Sequence, residues 1–319
     1  MCDNLFQTIE AFDWQGVKRV AVAVSGGPDS VALWGVVRVW AEVRGIDVHA
    51  LHVDHGLRDG SADEAAVLAA RIKGLQVLQW DVPSDVRVQE EARKARYRLM
   101  AEYCAAEGIG HLLLAHHRDD QAETVLFRLA KGSGLDGLGG MRSVQDYDAD
   151  LVLVRPFLEV DKADLVAYCA ERGVPYFNDP SNENDDFARV RLRQARDVLE
   201  GEGLSAKRLA ITARRFQRAR DALDEIAGEV FADCALNKKS KRIEFDLSLV
   251  NSHPEEIVLR VVLRAMAMIG AQRDYAPRLE RVEDLVVDLM ADAAFRKRTL
   301  GGVIFERDDA AGLIILQQE

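Results

Sequence analysis

Apolar positions first concentrate at Arg19 to Val24 (RVAVAV), then turn through Ser25 to Ser30 into a helically spaced stretch from Val31 to Val43. That succession predicts a strand, a tight glycine loop and a helix. A second strand is expected at Ile46 to Val53. After it come an alanine-rich helix from Ala62 to Lys73, a strand at Leu75 to Val82, a helix from Val88 to Ala106 and a strand at His111 to Ala115. Strands alternating with helices predict a doubly wound parallel sheet covered on both faces, an α/β architecture of Rossmann type.

A helix at Asp119 to Lys131 leads into a glycine-rich link, Gly132 to Gly140, then a strand at Leu151 to Val154 and a helix from Asp161 to Arg172. Asp161 suits its N-cap, and Gly173 with Pro175 its end. Asn178 to Asp186 (NDPSNENDD) is polar and turn-rich and reads as an ordered or ligand-ordered loop. From Arg189 to about Cys234 the chain becomes basic and helical. The remainder reads as helices with short strands near Ile243 to Asp246 and Thr299 to Glu306. Two domains are expected: 1–205, nucleotide-binding and catalytic, and 206–319, smaller and mainly helical.

Composition narrows the function classes. The chain has 319 residues and a net charge of −11, which opposes indiscriminate coating of nucleic acid, since such binding rests on neutralising phosphates. The charge is uneven, however. Between Arg189 and Arg220 basic residues face only Asp197, Glu200 and Glu202. This is either a solvated helix surface or an element that contacts phosphates, and an acidic protein with one basic segment suggests a partner on one face. No run approaches the roughly 20 apolar residues that span a bilayer, and Met1 to Glu10 lacks signal-peptide character. No membrane association and a cytoplasmic location are expected. Cys2, Cys104, Cys169 and Cys234 are scattered without a Cys-x-x-Cys pair, which gives no zinc, cluster or disulfide framework. Cys104 and Cys169 read as core residues.

Three segments carry candidate chemistry. Ser25-Gly26-Gly27-Pro28-Asp29-Ser30 lies between the first strand and its helix, where small residues let backbone N–H groups approach an anion and the helix directs its positive end toward it. Asp29 would be repelled by bare phosphates and fits a Mg²⁺ bridging them, or a cationic group. The string lacks the lysine of a Walker loop and the third glycine of a dinucleotide fingerprint. His52-Val53-Asp54-His55-Gly56-Leu57-Arg58 ends the second strand, and His116-His117-Arg118-Asp119-Asp120-Gln121-Ala122-Glu123-Thr124 follows the strand at His111. Both stand beyond carboxyl ends of strands, where open parallel sheets bind ligands. The acids of the last segment also suit a helix N-terminus.

In this order, SGGPDS, VDHGLR, HHRDDQAET, KGSGLDGLGGM from Lys131, Arg155-Pro156-Phe157 and Asp179-Pro180-Ser181-Asn182 resemble the motifs of bacterial tRNA(Ile)-lysidine synthetases. Those enzymes belong to the PP-loop ATP-pyrophosphatase superfamily. The resemblance covers about residues 19 to 200 and implies a carbon–nitrogen ligase. ATP adenylates the C2 oxygen of C34 in the CAU anticodon of tRNA(Ile). The ε-amino group of L-lysine then displaces AMP. The resemblance also admits a homodimer.

With that reaction in view, Ser25 to Ser30, with His52 and Asp54, are expected to hold ATP, and Asp29 the Mg²⁺. Arg58, or Arg93 and Arg96, would offset charge on the adenylate and pyrophosphate, although Arg93 and Arg96 also read as a solvated face paired with Glu90 and Glu91. Asp119 and Glu123, four apart on one helix face, suit the lysine ammonium or its proton, with His116 or a carboxylate assisting. Arg189, Arg191 and Arg193 begin the basic element expected to contact tRNA. Tyr97 either stacks a base or belongs to the core, and Gly132 to Gly140 is a passive linker or accommodates the tRNA. The portion after the basic helices is shorter than the two appended domains of longer family members.

Rival readings are a tRNA cytidine thiolase, which would need a Cys-x-x-Cys pair, an amide-forming synthetase of the same superfamily, and a nucleotide-sensing module without chemistry. The last does not account for Asp29, Asp119 and Glu123 together.

Overall fold

The computed structural model describes residues 2–56, 60–80, 88–177, 188–239, 241–269, 277–291, 295 and 297–319. Chain contacts divide it into two compact units, Met1–Phe216 and Gln217–Glu319.

The first unit opens with helix α1 (Cys2–Glu10) and continues β1 (Arg19–Ala23), α2 (Pro28–Arg44), β2 (Asp47–Asp54), α3 (Ser61–Arg71), β3 (Gln76–Gln79), α4 (Val88–Glu107) and β4 (His111–Leu113). Then come α5 (Arg118–Ala130), the one-turn α6 (Leu135–Leu138), β5 (Val144–Asp146), β6 (Val152–Val154), α7 (Lys162–Glu171), α8 (Ala188–Gln194), α9 (Arg196–Gly201) and the long α10 (Ala206–Cys234), which runs into the second unit. The strands form one sheet in the order β3-β2-β1-β4-β6-β5. All pairs are parallel except β5 with β6.

β1 is central, buried on both faces, and its residues alternate between two cores. Val20 and Val22 pack with Leu33, Val37 and Trp40 of α2 and Leu165 of α7. Ala21 faces the other way, with Leu51, Leu112, Leu153 and the α4 residues Met100 and Cys104. This is why the strand reads as continuously apolar rather than alternating. The expected cysteine placement is borne out: Cys104 and Cys169 are fully buried, and burial pushes the Cys104 thiol up to about 12.

The chain leaves β1, builds β2 and β3 on one side, and returns to place β4 on the other. The crevice opened where strand order reverses lies beyond the carboxyl ends of β1 and β4. Of the segments singled out in the sequence, SGGPDS and HHRDDQAET are the two that flank it.

The glycine-rich link is not a passive tether. Arg128 Nη1 donates to the carbonyls of Gly137 and Gly140, both at 2.9 Å, and the Gln121 side chain bonds the N–H and C=O of Met141 at 2.7 and 2.9 Å. The link is thereby fastened to α5.

The second unit holds the end of α10, then β7 (Ala235–Lys239), β8 (Arg242–Asp246), α11 (Ser248–Ser252), α12 (Glu255–Ile269), α13 (Leu279–Ala291), β9 (Arg298–Leu300), β10 (Val303–Asp308) and β11 (Leu313–Gln318). The strand expected near Ile243 to Asp246 is β8, whereas the one expected at Thr299 to Glu306 is broken by the turn at Gly301 and Gly302 into β9 and β10. β7 and β11 complete an antiparallel sheet ordered β7-β8-β11-β10-β9, which the helical reading had not anticipated. Phe245, Phe305, Ile314 and Leu316 pack against Val258, Val261 and Val286 of the helices. Among the described residues no helix is long and apolar enough to cross a membrane.

Candidate active site

The loop after β1 is organised by one hydroxyl. Ser30 Oγ accepts from the backbone N–H groups of Ser25 and Gly26 at 3.1 and 3.2 Å and donates to the Gly27 carbonyl at 3.0 Å, with Ser25 Oγ 3.2 Å away. Ser30 is therefore engaged in folding the loop. Gly27 caps α2 in an extended conformation and Pro28 occupies the first helical turn, where its missing N–H costs nothing. Gly26 has φ +91°, and a Cβ there would lie 2.8 Å from the Phe177 ring. The Phe177 N–H also bonds the Gly26 carbonyl at 2.9 Å. Phe177, a backing residue that sequence reasoning missed, requires glycine at this position twice over, by backbone conformation and by space.

Asp29 projects from the first turn of α2. Its Oδ1 is buried and has no hydrogen-bond partner among the described residues. Its Oδ2 stands 3.5 Å from His117 Nε2, and the same nitrogen is 3.5 Å from Asp120 Oδ2. His117 is only 4% exposed and is the N-cap of α5, its Nδ1 accepting from the Asp119 N–H at 3.2 Å while Asp120 Oδ2 accepts from the His117 N–H at 3.0 Å. The reciprocal pair is a capping box, and with Nδ1 accepting, the proton sits on Nε2, toward the two carboxylates. Burial pulls the His117 pKa down. The hydrogen bond to Asp29 and the charges of Asp120, Asp29 and Asp119 outweigh it and raise the pKa above 6.5. His116, the histidine favoured from sequence, is half-buried in the same loop, but His117 is the one that joins the two motifs.

Asp119 and Glu123 come together as expected, on the wall of a cavity of about 260 Å³. Each meets an arginine from the helices after the 178–187 segment. Arg196 Nη1 lies 2.9 Å from Asp119 Oδ2, and Arg193 grips Glu123 with two nitrogens, one contact being 3.0 Å. Arg193, expected to contact RNA, is instead directed here, and its pKa is raised first by the Glu123 bond. Leu126, Leu192, Leu199, Leu204 and Leu209 supply the apolar part of the wall. Arg191 is exposed on α8. Arg58, the side chain of Arg189 and the 178–187 loop lie outside the described residues.

At the end of β2, His52 Nδ1 bonds the Val24 carbonyl at 2.8 Å, which ties this strand to the start of the SGGPDS loop. Asp54 is buried and accepts from the Gly56 N–H at 3.0 Å. Desolvation opposes its ionisation, yet hydrogen bonds from Gly56, Ser61 and Gln79 and the charge of His52 keep its pKa below the usual carboxylate value. Asp54 shapes its own turn rather than offering a free oxygen to a ligand. Arg96 donates to His55 Nε2 through Nε at 3.1 Å and Nη2 at 3.0 Å. Burial and then Arg96 push His55 down to about 4, so it is a neutral, fixed acceptor at physiological pH. Arg93 goes elsewhere, its guanidinium lying 5.3 Å from the Tyr97 ring centroid. Tyr97 is stacked with Tyr147, ring centroids 6.0 Å apart, and, half-buried, packs against the core that holds Leu51, Leu112 and Met100.

The geometry therefore presents a glycine cradle with an unsatisfied buried carboxylate oxygen, joined through one histidine to a mixed acid–arginine cavity. A family described as a PP-loop domain matches residues 3–198. A tRNA(Ile)-lysidine synthase from Methylobacterium nodulans is 42% identical over 301 residues, covering 89% of this chain and 86% of that protein. The chain belongs to the tRNA(Ile)-lysidine synthase family. A second family member, from Rhodopseudomonas palustris, is 36% identical over 314 residues, covering 95% of this chain and 89% of that protein. Among solved structures, a U34-tRNA thiolase from Methanococcus maripaludis superposes with a TM-score of 0.55 at 16% identity, covering 68% of this chain and 77% of that one. That similarity concerns the fold alone. As a PP-loop family member the chain is an ATP-using enzyme.

Proposed function

We propose that this chain joins L-lysine to C34 of the CAU anticodon of tRNA(Ile), converting ATP to AMP and pyrophosphate. The observation that carries this reading is the bridge from Asp29 through His117 to the helix bearing Asp119 and Glu123. The α2 N-terminus suits a nucleotide, the carboxylates Asp119 and Glu123 of α5 suit an amine, and the reaction needs both within one crevice.

The Gly26–Gly27 backbone and the α2 N-terminus would hold the ATP phosphates, with Ser30 keeping the loop in shape. The orphaned Asp29 Oδ1 fits a cation: Mg²⁺ bound there with the phosphates would neutralise charge as pyrophosphate leaves. Arg96, fixed by His55, would add positive charge on the β2 side. The cytosine C2 oxygen attacks the α-phosphorus and pyrophosphate departs. The lysine ε-amine then attacks C2, and AMP leaves with that oxygen.

The cavity has the chemistry of a zwitterion with an aliphatic stem. Its leucines suit the lysine methylenes, Asp119 and Glu123 an ammonium, and Arg193 and Arg196 a carboxylate. Lysine would exchange partners with the two acid–arginine pairs, which keeps every buried charge compensated. A carboxylate here, or His116, takes the proton that the ammonium must lose before attack. Lys207, Arg208, Arg214 and Arg215 are exposed on α10 and would meet tRNA phosphates. A cytoplasmic location suits these substrates. The homodimer would appear as a doubled mass in solution.

The test is to incubate the protein with ATP, Mg²⁺, radiolabelled lysine and unmodified CAU tRNA(Ile), with a methionine tRNA as control. ATP-dependent label in tRNA(Ile) alone is expected. Release of pyrophosphate on tRNA addition without lysine incorporation would make lysine the wrong nucleophile.

A further inference from the structure

The chain leaves β6 at Arg155, within the Arg-Pro-Phe string to which the reaction above gives no role. Arg155 is 4% exposed, yet among the described residues it is paired with no carboxylate. Its Nη1 donates to the Arg142 carbonyl at 2.8 Å, its head bonds the Tyr97 side chain, and its Nε is buried without a hydrogen-bond partner among the described residues. Both partners are neutral. Burial, and after it the like charge of Arg93, outweigh the Tyr97 contact and hold its pKa below the usual guanidinium value.

A buried guanidinium is ordinarily compensated by an acid, because desolvating an unpaired charge is expensive. Here Arg155 feels the like charge of a second guanidinium instead, and one phenol side chain is in contact with both groups. Arg93 lies over the Tyr97 ring and Arg155 bonds its polar end. Tyr147 stacks on Tyr97 with ring centroids 6.0 Å apart. A phenol fixes direction without cancelling charge. The arrangement is complete only when an anion is present.

We infer that Arg93 and Arg155 form a phosphate-binding site for the RNA substrate, with exposed Arg93 making the contact and buried Arg155 adding its field from behind. Position favours RNA over the nucleotide. Tyr97 packs on the sheet face covered by α4, whereas α2, which carries the SGGPDS loop at its start, covers the opposite face. β6 is also separated from β1 by β4, a spacing of roughly 10 Å across two strand intervals. The site rests on the reading of a tRNA substrate, and it would hold a backbone phosphate beside the nucleotide whose base enters the crevice.

The experiment measures binding of fluorescently labelled CAU tRNA(Ile) to the full chain across a salt series for wild type, Arg155→Met and Arg93→Gln, with ATP binding and thermal melting followed in parallel. Each variant is expected to bind tRNA about tenfold more weakly. The slope of log K against log salt should become shallower by roughly 0.7, the single-strand value for one phosphate. Arg155→Met should melt no lower than wild type, since it removes an uncompensated buried charge; a purely structural arginine would give a lower Tm. Arg93→Gln, at an exposed position, keeps the test valid if Arg155→Met fails to fold. Wild-type binding with an unchanged slope in the variants, or a loss confined to ATP, would overturn the site while leaving the proposed function standing. Wild-type protein that binds no tRNA would overturn both.

Discussion

Replacing His117 separates its two structural duties. It caps α5 through Nδ1 and faces Asp29 and Asp120 through Nε2. His117→Ala loses a cap, about 1 kcal/mol, and a charge-assisted contact, about 1.5 kcal/mol at the low end because the two distances are 3.5 Å. The sum, about 2.5 kcal/mol, corresponds to a Tm lower by roughly 5–10 °C for a domain of this size. His117→Asn keeps a side-chain acceptor at the N-cap but is too short to reach Asp29, so only about 1.5 kcal/mol is lost. Both variants should lose lysine incorporation to a similar degree, because both release Asp29. The assay is thermal unfolding of the two variants beside incorporation of labelled lysine. The wild type carries a pH signature as well. A histidine whose folded pKa is raised above 6.5 contributes stability that is fully present below 6.5 and lost as pH rises through the folded value. The difference in Tm between wild type and His117→Asn should therefore shrink with rising pH. A difference that grows with pH would show that the cap bond at Nδ1, which protonation breaks, dominates, and would refute the assigned balance of charges.

Other expectations follow from single contacts. Gly26→Ala places a Cβ 2.8 Å from Phe177 at φ +91°; it should cost about 1–2 kcal/mol from backbone strain alone and raise the KM for ATP in a pyrophosphate-release assay. Arg196→Ala frees Asp119; if Arg196 holds the lysine carboxylate, the KM for lysine should rise at least tenfold with the KM for ATP little changed, and a fall in the lysine KM would mean that Arg196 only blocks the site. Phe305→Ala, at a fully buried position in the second unit's core, should destabilise that unit by about 3–5 kcal/mol, read by denaturant unfolding.

The sheet was legible because β1 is apolar on both faces and its glycine loop and helix follow at once, so local pattern and tertiary burial agree. The positions of the SGGPDS loop and of Asp119 were legible for the same reason: each falls at a helix start, with Glu123 one turn farther along α5. The choice of histidine was not. α5 begins at Arg118, which makes His117 its cap, and histidine is not among the favoured N-cap residues, so the sequence points to an acid as the start. Arg193 and Arg196 read as part of a basic RNA-facing run. Only tertiary packing of α8 and α9 beside α5 turns them onto Glu123 and Asp119. In the second unit, β11 (LIILQQ) is a short apolar run whose period does not separate strand from helix, and β7 (ALNKK) is a polar edge strand. Both are fixed by pairing partners distant in the chain.

The most direct test of the whole account is mass spectrometry of nuclease fragments from CAU tRNA(Ile) after reaction with this protein, ATP and lysine. The account requires a mass gain of one lysine less one water, confined to C34 and absent when Asp29→Ala replaces the wild type. An unmodified C34, or the same gain at another nucleotide, would contradict it.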